Sequence, residues 1–581
     1  MESLEAASSS TPPARAVCAN PTCDRRGEVL PADGKCPHCW SCAPVVVSPP
    51  ADDERDRAAS IQGDVALQRA ERVSLTCIRM RVSAKPIEAL RIPSELCDEA
   101  VRPAVRASSI AGAWDAMWSE PGAPLRPFHS FLAERKSATE RVELVGRLLA
   151  FFARTADHRL PPVALFEDAV WANPQRDDDF VLLAGGATEE SWASVAARFV
   201  FTAWAAASDT PCDAASSDDA LRWLPLLRAV EPAAPPEAVA LLRDALCNEG
   251  DIAWLSRAWA DLPRREGEAL AADVPFRYGA AQRSGRRKGS DRLLPGEYQQ
   301  DRWCCARVRV GDVDATLLAL ADGVSTAEFG SGAVAASRAI AAIERCARET
   351  ADAEGYLRVL VRAANDAVLD YGRAVRPPVD AGRDAPASTL TLALVEDTGQ
   401  VTVAWVGDTP AYGWEPRRRT LVPLNFAQQG RIDAVARGVN ARTARDHEDS
   451  QRLVNYLGAE SCAPEVRAWR LSRGGGVVLA TDGFVDGFAD DRGAGRIARA
   501  ERKLASQLIE ACRRADHLQH ASEELCVTSD AADGHDNLSV LALVAGDLPS
   551  PAAPETVART SNGAEVSARG SRQGHWHPRS R

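Results

Sequence analysis

What this 581-residue chain lacks narrows its possible roles. No window approaches the roughly 20 apolar residues of a membrane-spanning helix, so a membrane protein is not expected. The opening residues, MESLEAASSSTPPARA, hold no apolar stretch of the kind a secretory signal requires. A disulfide framework is also missing. The 15 cysteines stand mostly at scattered single sites, such as Cys77, Cys97, Cys212, Cys247, Cys346 and Cys526. Scattered cysteines suit a reducing compartment, and with no signal they point to the cytoplasm. Nor is there a basic excess. The net charge of −12 argues against nucleic-acid binding, which wants a positive face. Lysine is scarce beside arginine, which reads as genome composition. No internal repeat is visible.

The apolar fraction of 45% is ample for real cores, and the length calls for more than one domain. Residues 1–16 are small and polar and read as disordered. Residues 17–43 carry a tight cysteine cluster, and 44–70, with Ser48, Pro49 and Pro50 before an acidic and basic stretch, read as a linker. Residues 71–270 form an Ala- and Trp-rich middle segment, expected to be mainly helical. VELVGRLLAFFARTA and PPEAVALLRDAL are its best amphipathic helices. After the basic connection SGRRKGSDR, strands and helices mix over 275–546, and 547–581 reads as a disordered tail.

The segment 275–546 is the most legible. WCCARVRV and DATLLALAD flank Gly311-Asp312 as a hairpin. Two helical stretches follow, EFGSGAVAASRAIAAIERCARE and GYLRVLVRAANDAVLDYG. STLTLALVED, GQVTVAWVGD and PAYGWEP then read as consecutive strands, GGVVLATD as another, ERKLASQLIEACRRA as a helix and NLSVLALVAG as a closing strand. Helix pairs around a strand-rich antiparallel core predict an α+β fold, an α-β-β-α sandwich of two sheets flanked by helices.

Six aspartates sit in short motifs along this segment: Asp301 in YQQD, Asp322 in LALADG, Asp408 in VGDTPAY, Asp482 and Asp486 in LATDGFVD, and Asp536 in GHDN. Most close an apolar β-type run, the layout expected when strands deliver carboxylates to one edge of a sheet. Carboxylates gathered so repel each other unless a divalent cation neutralises them. Phosphate monoester hydrolysis is among the slowest uncatalysed reactions, and one solution uses two divalent ions ~4 Å apart that share a water. Hard ions such as Mg²⁺ or Mn²⁺ want oxygen ligands, and a glycine after aspartate lets a backbone carbonyl approach. A single Asp-Gly is more often a turn, and Asp312 and Asp533 are read that way.

In this order the motifs resemble the metal-dependent Ser/Thr protein phosphatase family, type 2C, in a divergent bacterial form. The resemblance implies hydrolysis of phosphoserine or phosphothreonine by a metal-bridged hydroxide, with no covalent phosphoenzyme. It implies that Asp322 bridges two metals and that the Gly323 carbonyl completes the second metal's shell. Asp482 and Asp536 would ligate the first metal, and Asp301 would hold metal-bound waters. Asp408 and Asp486 match positions that bind a third, weaker metal in some members. The implied partners are phosphorylated proteins, the targets of Ser/Thr kinases in a signalling circuit. There are departures. Gly296 stands where members often carry a phosphate-gripping Arg, with Arg292 and Arg302 as substitutes. Gln300 stands where others have Glu or Gln. Val324-Ser325 follows the first Asp-Gly, and Thr409-Pro410 replaces the usual Ser-Arg. The competing reading is a catalytically weak, phosphatase-like scaffold that binds phosphorylated signalling partners.

Cys18-x4-Cys23 and Cys36-x2-Cys39 can present four thiolates to one Zn²⁺, and the segment resembles a zinc ribbon. Four thiolates leave no open position, so the zinc would be structural, with His38 and Cys42 as bystanders. A ribbon can bind nucleic acid or protein, and the acidic chain favours protein. The middle segment is faintly similar to the C-terminal lobe of protein kinases, but His158-Arg159-Leu160 lacks the catalytic Asp and Asp179-Phe180-Val181 lacks the Gly. An unrelated helical regulatory domain is the blander alternative. Trp114, Trp118, Trp171, Trp192 and Trp204 are expected in the core.

Overall fold

A computed structural model describes strands between residues 71 and 119 and, with short interruptions, residues 125–262 and 276–546. The expected ribbon, its linker and both tails lie outside the described residues. So do Arg292, Gly296 and Asp486.

The middle segment opens with β1 (Glu71–Ser74), β2 (Cys77–Val82), β3 (Val101–Arg102), β4 (Arg106–Ile110) and β5 (Ala113–Ser119). Next come β6 (Arg126–Pro127), α1 (Phe128–Ala133), α2 (Ala138–Asp157), β7 (Val170–Asn173) and β8 (Arg176–Leu183). The helices α3 (Trp192–Ala207), α4 (Ser217–Trp223), α5 (Leu226–Ala229), α6 (Pro236–Leu246) and α7 (Ile252–Ala260) complete it. Two four-stranded sheets, ordered β1-β2-β5-β4 and β3-β8-β7-β6, accompany the helices.

Both helices foreseen here lie within α2 and α6. α2 starts at a capping box, with Ser137 and Glu140 each satisfying the other's backbone N–H. Its Val142, Val145, Leu148, Leu149 and Phe152 recur every three or four residues and are buried. α3 is apolar nearly all round because it is buried nearly all round. The indole N–H groups of Trp192, Trp204 and Trp259 donate to the carbonyls of Leu160, Pro232 and Val142, which makes large buried rings tolerable in the core.

The second part contains β9 (Phe276–Arg283), β10 (Arg302–Val310), β11 (Val313–Ala321), α8 (Gly332–Arg345), α9 (Ala353–Val375), β12 (Leu390–Glu396) and β13 (Gln400–Val406). It continues with β14 (Ala411–Glu415), β15 (Thr420–Pro423), α10 (Gly430–Ala436), α11 (Ala441–Asp446) and β16 (Glu465–Arg470). It ends with β17 (Gly476–Ala480), α12 (Arg496–Arg514), α13 (Leu518–Ala532) and β18 (Leu538–Ala545). The first sheet runs β10-β11-β12-β13-β16 and the second β15-β14-β17-β18-β9, every pairing antiparallel. α8 and α9 cover the outer face of the first sheet, and α12 and α13 that of the second. Leu318, Leu320, Trp405, Val477, Leu479 and Leu541 help fill the space between the sheets. This is the α-β-β-α sandwich expected from the sequence. The expected hairpin turns at Gly311 with φ of 57°. Three strands were not foreseen, β9, β15 and β16. Each is a sheet edge with a short or charged sequence, so none shows an apolar run.

The two parts are packed together. α6 lies on β15, and Ala240 of α6 joins the core between the sheets. Ile432, Val435, Ala441 and Ala444 of α10 and α11 are buried in the core of the middle segment. The Arg467–Glu231 ion pair, 3.0 Å, and the bond from Trp469 Nε1 to Glu237 flank this junction.

Candidate active site

The strand registers bring the aspartate motifs to one end of the sandwich. Arg302 pairs with Ala321, so Asp301 and Asp322 stand opposite each other where β10 begins and β11 ends. Leu390 pairs with Val406, which sets Thr389 against Gly407 and brings Asp408 to the same end. In the second sheet Ala480 pairs with Val540, and Thr481 continues the ladder with its N–H on the Ser539 carbonyl at 3.0 Å. Asp482 therefore emerges beside Asp536.

The two sheets are joined at this end through Asp301, which is fully buried. Its Oδ2 accepts from the Ser539 hydroxyl at 2.7 Å, and its backbone N–H donates to Gln299 Oε1 at 2.9 Å. Arg302 holds the same turn, donating to the carbonyls of Gln299 at 2.6 Å and Asp301 at 2.7 Å and to the Ser337 hydroxyl at 2.9 Å. This arginine was a candidate phosphate grip; here it shapes the backbone that presents Asp301. Gln300 is buried beside it.

Asp322 is half-buried. Its backbone N–H donates to Thr389 Oγ1 at 3.2 Å, and its carbonyl accepts from the Thr389 N–H and the Ser388 hydroxyl, both at 2.8 Å. Gly323 follows for a steric reason. A Cβ there would lie 2.4 Å from the Gly332 carbonyl carbon and oxygen, at the first turn of α8. A side chain would push that helix off the site.

Gly407, with φ of 97°, turns the chain from the first sheet to the second and carries Asp408. A Cβ on it would stand 2.7 Å from the Thr389 Cβ. Its N–H donates to Gln428 Oε1 at 2.9 Å, and Gln429 Nε2 donates to Asp408 Oδ2 at 3.2 Å. Thr391 and Asn425 donate to the Thr409 carbonyl at 2.7 and 2.9 Å.

Asp482 and Asp536 are each fixed by a local turn. Asp482 Oδ1 accepts from the Gly483 N–H at 2.7 Å, and Asp536 Oδ1 from the Asn537 N–H at 2.6 Å. A Cβ on Gly483 would lie 2.7 Å from the Asp536 Cβ and 2.4 Å from the Asn537 carbonyl oxygen. Only glycine lets the two motifs approach this closely.

Of the seven residues read as Mg²⁺ or Mn²⁺ ligands, six fall at this end: Asp301, Asp322, Gly323, Asp408, Asp482 and Asp536. Asp486 lies outside the described residues, as do Cys18, Cys23, Cys36 and Cys39. The donor set is all oxygen, which fits a hard divalent ion and suits zinc poorly. Among the described residues no three Asp, Glu, His or Cys side chains close tightly enough on a common point to hold an ion. The fit is one of chemistry and backbone placement. Burial pushes Cys304 up to about 12 and Cys462 up to about 11, so both thiols stay protonated and unreactive near neutral pH.

Sequence reading missed Ser388, Thr389, Gln428, Gln429 and Ser539. They are ordinary polar residues whose role depends on partners up to 238 positions away in the chain, as for Ser539 and Asp301.

Residues 288–525 match the family model described as Protein phosphatase 2C, the family that the aspartate motifs resemble. Solved structures similar to this part of the chain include bacterial serine/threonine phosphatases. One is the serine/threonine phosphatase PstP/Ppp of Mycobacterium tuberculosis, 20% identical, covering 47% of this chain and 99% of that one, with a TM-score of 0.35. Another is the serine/threonine phosphatase of S. agalactiae, 15% identical, covering 47% and 100%, with a TM-score of 0.37. A third is the phosphatase MsPP of Mycobacterium smegmatis, solved with cacodylate, 20% identical, covering 49% and 100%, with a TM-score of 0.33. No curated protein matches the chain. Among the described residues no helix is long and apolar enough to cross a membrane.

Proposed function

We propose that this protein is a Mg²⁺- or Mn²⁺-dependent protein serine/threonine phosphatase acting in the cytoplasm on phosphorylated signalling proteins. The observation that carries the reading is the collection of Asp301, Asp322, Asp408, Asp482 and Asp536, from five separate segments, at one end of the sandwich. Asp322, the Gly323 carbonyl, Asp482 and Asp536 would hold two ions, with Asp301 fixed behind them by Ser539. Asp408 would serve a third, weaker site together with Asp486. Bound ions would activate water and neutralise the developing charge on the phosphoryl oxygens. The chain's own part is to fix the carboxylates on rigid strand ends and to keep Asp301 buried. Cys18, Cys23, Cys36 and Cys39 would hold a structural zinc remote from this chemistry, and the middle segment would be a regulatory or docking module.

A second reading, a scaffold that binds phosphorylated partners with little turnover, is favoured by Arg302. Three of its donors already serve the protein itself.

The deciding experiment is phosphate release from a phosphothreonine peptide by the full chain. It is run with Mn²⁺, with EDTA, and with Asp482→Asn. Turnover that needs the metal and the aspartate supports the enzyme. Absent turnover, with the peptide still bound, supports the scaffold. Zinc content separately tests the cysteines: one zinc per chain, lost in Cys36→Ser.

A further inference from the structure

The middle segment reaches into the neighbourhood of Asp408 through one strand and one loop. Arg243 on α6 donates to the Leu421 carbonyl at 2.7 Å, and Arg228 on α5 donates to the Leu424 carbonyl at 2.9 Å. Both guanidinium groups are buried. β15 is a sheet edge, so its outer carbonyls have no strand to serve them. Covered by α6 they need donors from elsewhere: Arg243 supplies one to Leu421, and Arg228 serves the Leu424 carbonyl just past the strand.

A few residues further on, the same stretch enters the site. Gln428 takes the Gly407 N–H on its side chain at 2.9 Å and returns its own N–H to the Gly407 carbonyl at 3.0 Å. Gln429 bonds Asp408. Between arginines and glutamines lies Phe426, which packs against both the core of the middle segment and the core between the sheets. Its carbonyl accepts from Trp405 Nε1 at 3.0 Å, and its ring meets Trp405 edge to face at 5.3 Å. Beyond Gln429, α10 and α11 return into the middle segment's core. The stretch 421–446 is thus held by the middle segment on both sides of its contact with the Asp408 motif.

We propose that Arg228 and Arg243, acting through Phe426, Gln428 and Gln429, are positioning residues for the Asp408 motif, so that the middle segment sets the geometry of the phosphatase centre. The proposal rests on the phosphatase reading for its effect on activity, though not for the mechanical coupling. A displacement of α5 or α6 would move β15, then the glutamines, then Asp408. A separate packing role would not connect these parts in sequence.

The test uses the full chain carrying Arg228→Met or Arg243→Met. Amide hydrogen exchange is followed alongside the Mn²⁺ concentration that gives half-maximal phosphate release. The expected result is exchange at Gly407 and Gln428 about tenfold faster, with β10, β11 and β12 still protected. A rise of about tenfold in the Mn²⁺ requirement should accompany it, the scale typical of losing an outer partner of a metal site. Gln429→Leu should raise the Mn²⁺ requirement while exchange at Leu421 and Leu424 stays unchanged. Arg243→Lys should restore part of the effect. Unchanged exchange at Gly407 and Gln428 in both methionine variants would overturn the proposal. So would loss of protection across both sheets, which would make the arginines folding determinants. If the parent chain releases no phosphate, the phosphatase reading fails and the exchange result still decides the coupling.

Discussion

The two parts of the molecule bury opposite charges. In the middle segment the buried ionic side chains are mainly arginines, each aimed at fixed acceptors. Arg141 donates to the carbonyls of Arg135 and Ala207 and to the Ser208 hydroxyl, and Arg198 pairs with Glu190 at 2.8 Å. Among the described residues of the sandwich the fully buried ionic residue is Asp301, at a strand end on the side that carries four other aspartate motifs. Acidic strand ends occur in both parts. Asp179 on β8, however, takes the Asn173 amide of its own hairpin at 3.0 Å. Asp482 and Asp536 also take an N–H of their own turns, but they are gathered with Asp301, Asp322 and Asp408 at one end of the sandwich, and Asp179 is not. Carboxylates drawn to one place from five distant segments repel one another, and local structure gives no reason to collect them. Collection from distant segments, more than a local partner, therefore marks the candidate site.

The sharpest way to break that contrast is to neutralise one charge of each kind. Asp322→Asn removes a carboxylate but little volume. Phosphate release should fall by more than the 10–100-fold typical of losing an outer metal partner, with the melting temperature held or raised. A carboxylate needed only for folding would give the opposite pattern. Arg243→Met should do the reverse in kind. It strips the Leu421 carbonyl of its donor and leaves Asp244, 3.3 Å away, without its nearest cation. The expected cost is about 3 kcal/mol, read by urea unfolding of the full chain. An unchanged midpoint would mean the buried arginines are not struts.

The sequence exposed the sandwich well because its inner strands are continuous apolar runs ending in Asp, as in TLLALAD and GVVLATD. A strand buried on both faces shows its length and its end in the sequence. The edge strands β9, β15 and β16 do not, and β15 is four residues with a proline. Asp322, Asp408 and Asp482 could be read because each follows such an apolar run, while Asp301 and Asp536 stand just before a strand. Their supports could not, because Thr389, Gln428 and Ser539 are polar residues whose partners lie across the sheet or on the other sheet. The middle segment hid its connection for the same reason. Arg228 and Arg243 sit in ordinary amphipathic helices, and nothing local marks their acceptors, 196 and 178 positions away.

A smaller effect separates strain from crowding near Asp408. Gly407 and Gly438 both have positive φ, 97° and 89°. A Cβ on Gly407 would collide with Thr389, whereas a Cβ on Gly438 meets nothing within 4 Å. Gly438→Ala should cost about 1 kcal/mol, the backbone strain alone. Gly407→Ala should cost about 2–3 kcal/mol by thermal unfolding and should also raise the Mn²⁺ requirement. Equal costs would mean that Thr389 moves aside freely and that the packing behind Asp408 is loose.

The smallest effect bears on how the middle segment acts. Ser137 caps α2 far along the chain from the α6–β15 junction, and Ser137→Ala should cost about 1 kcal/mol through the lost capping box. Because it leaves Arg228, Arg243 and the 421–429 stretch untouched, the Mn²⁺ requirement should not change. If it rises in step with the lost stability, the middle segment influences the site through its overall stability. If it stays fixed while Arg243→Met shifts it, the influence runs through the two carbonyls of Leu421 and Leu424, and the buried arginines of one part become the support of the carboxylates in the other.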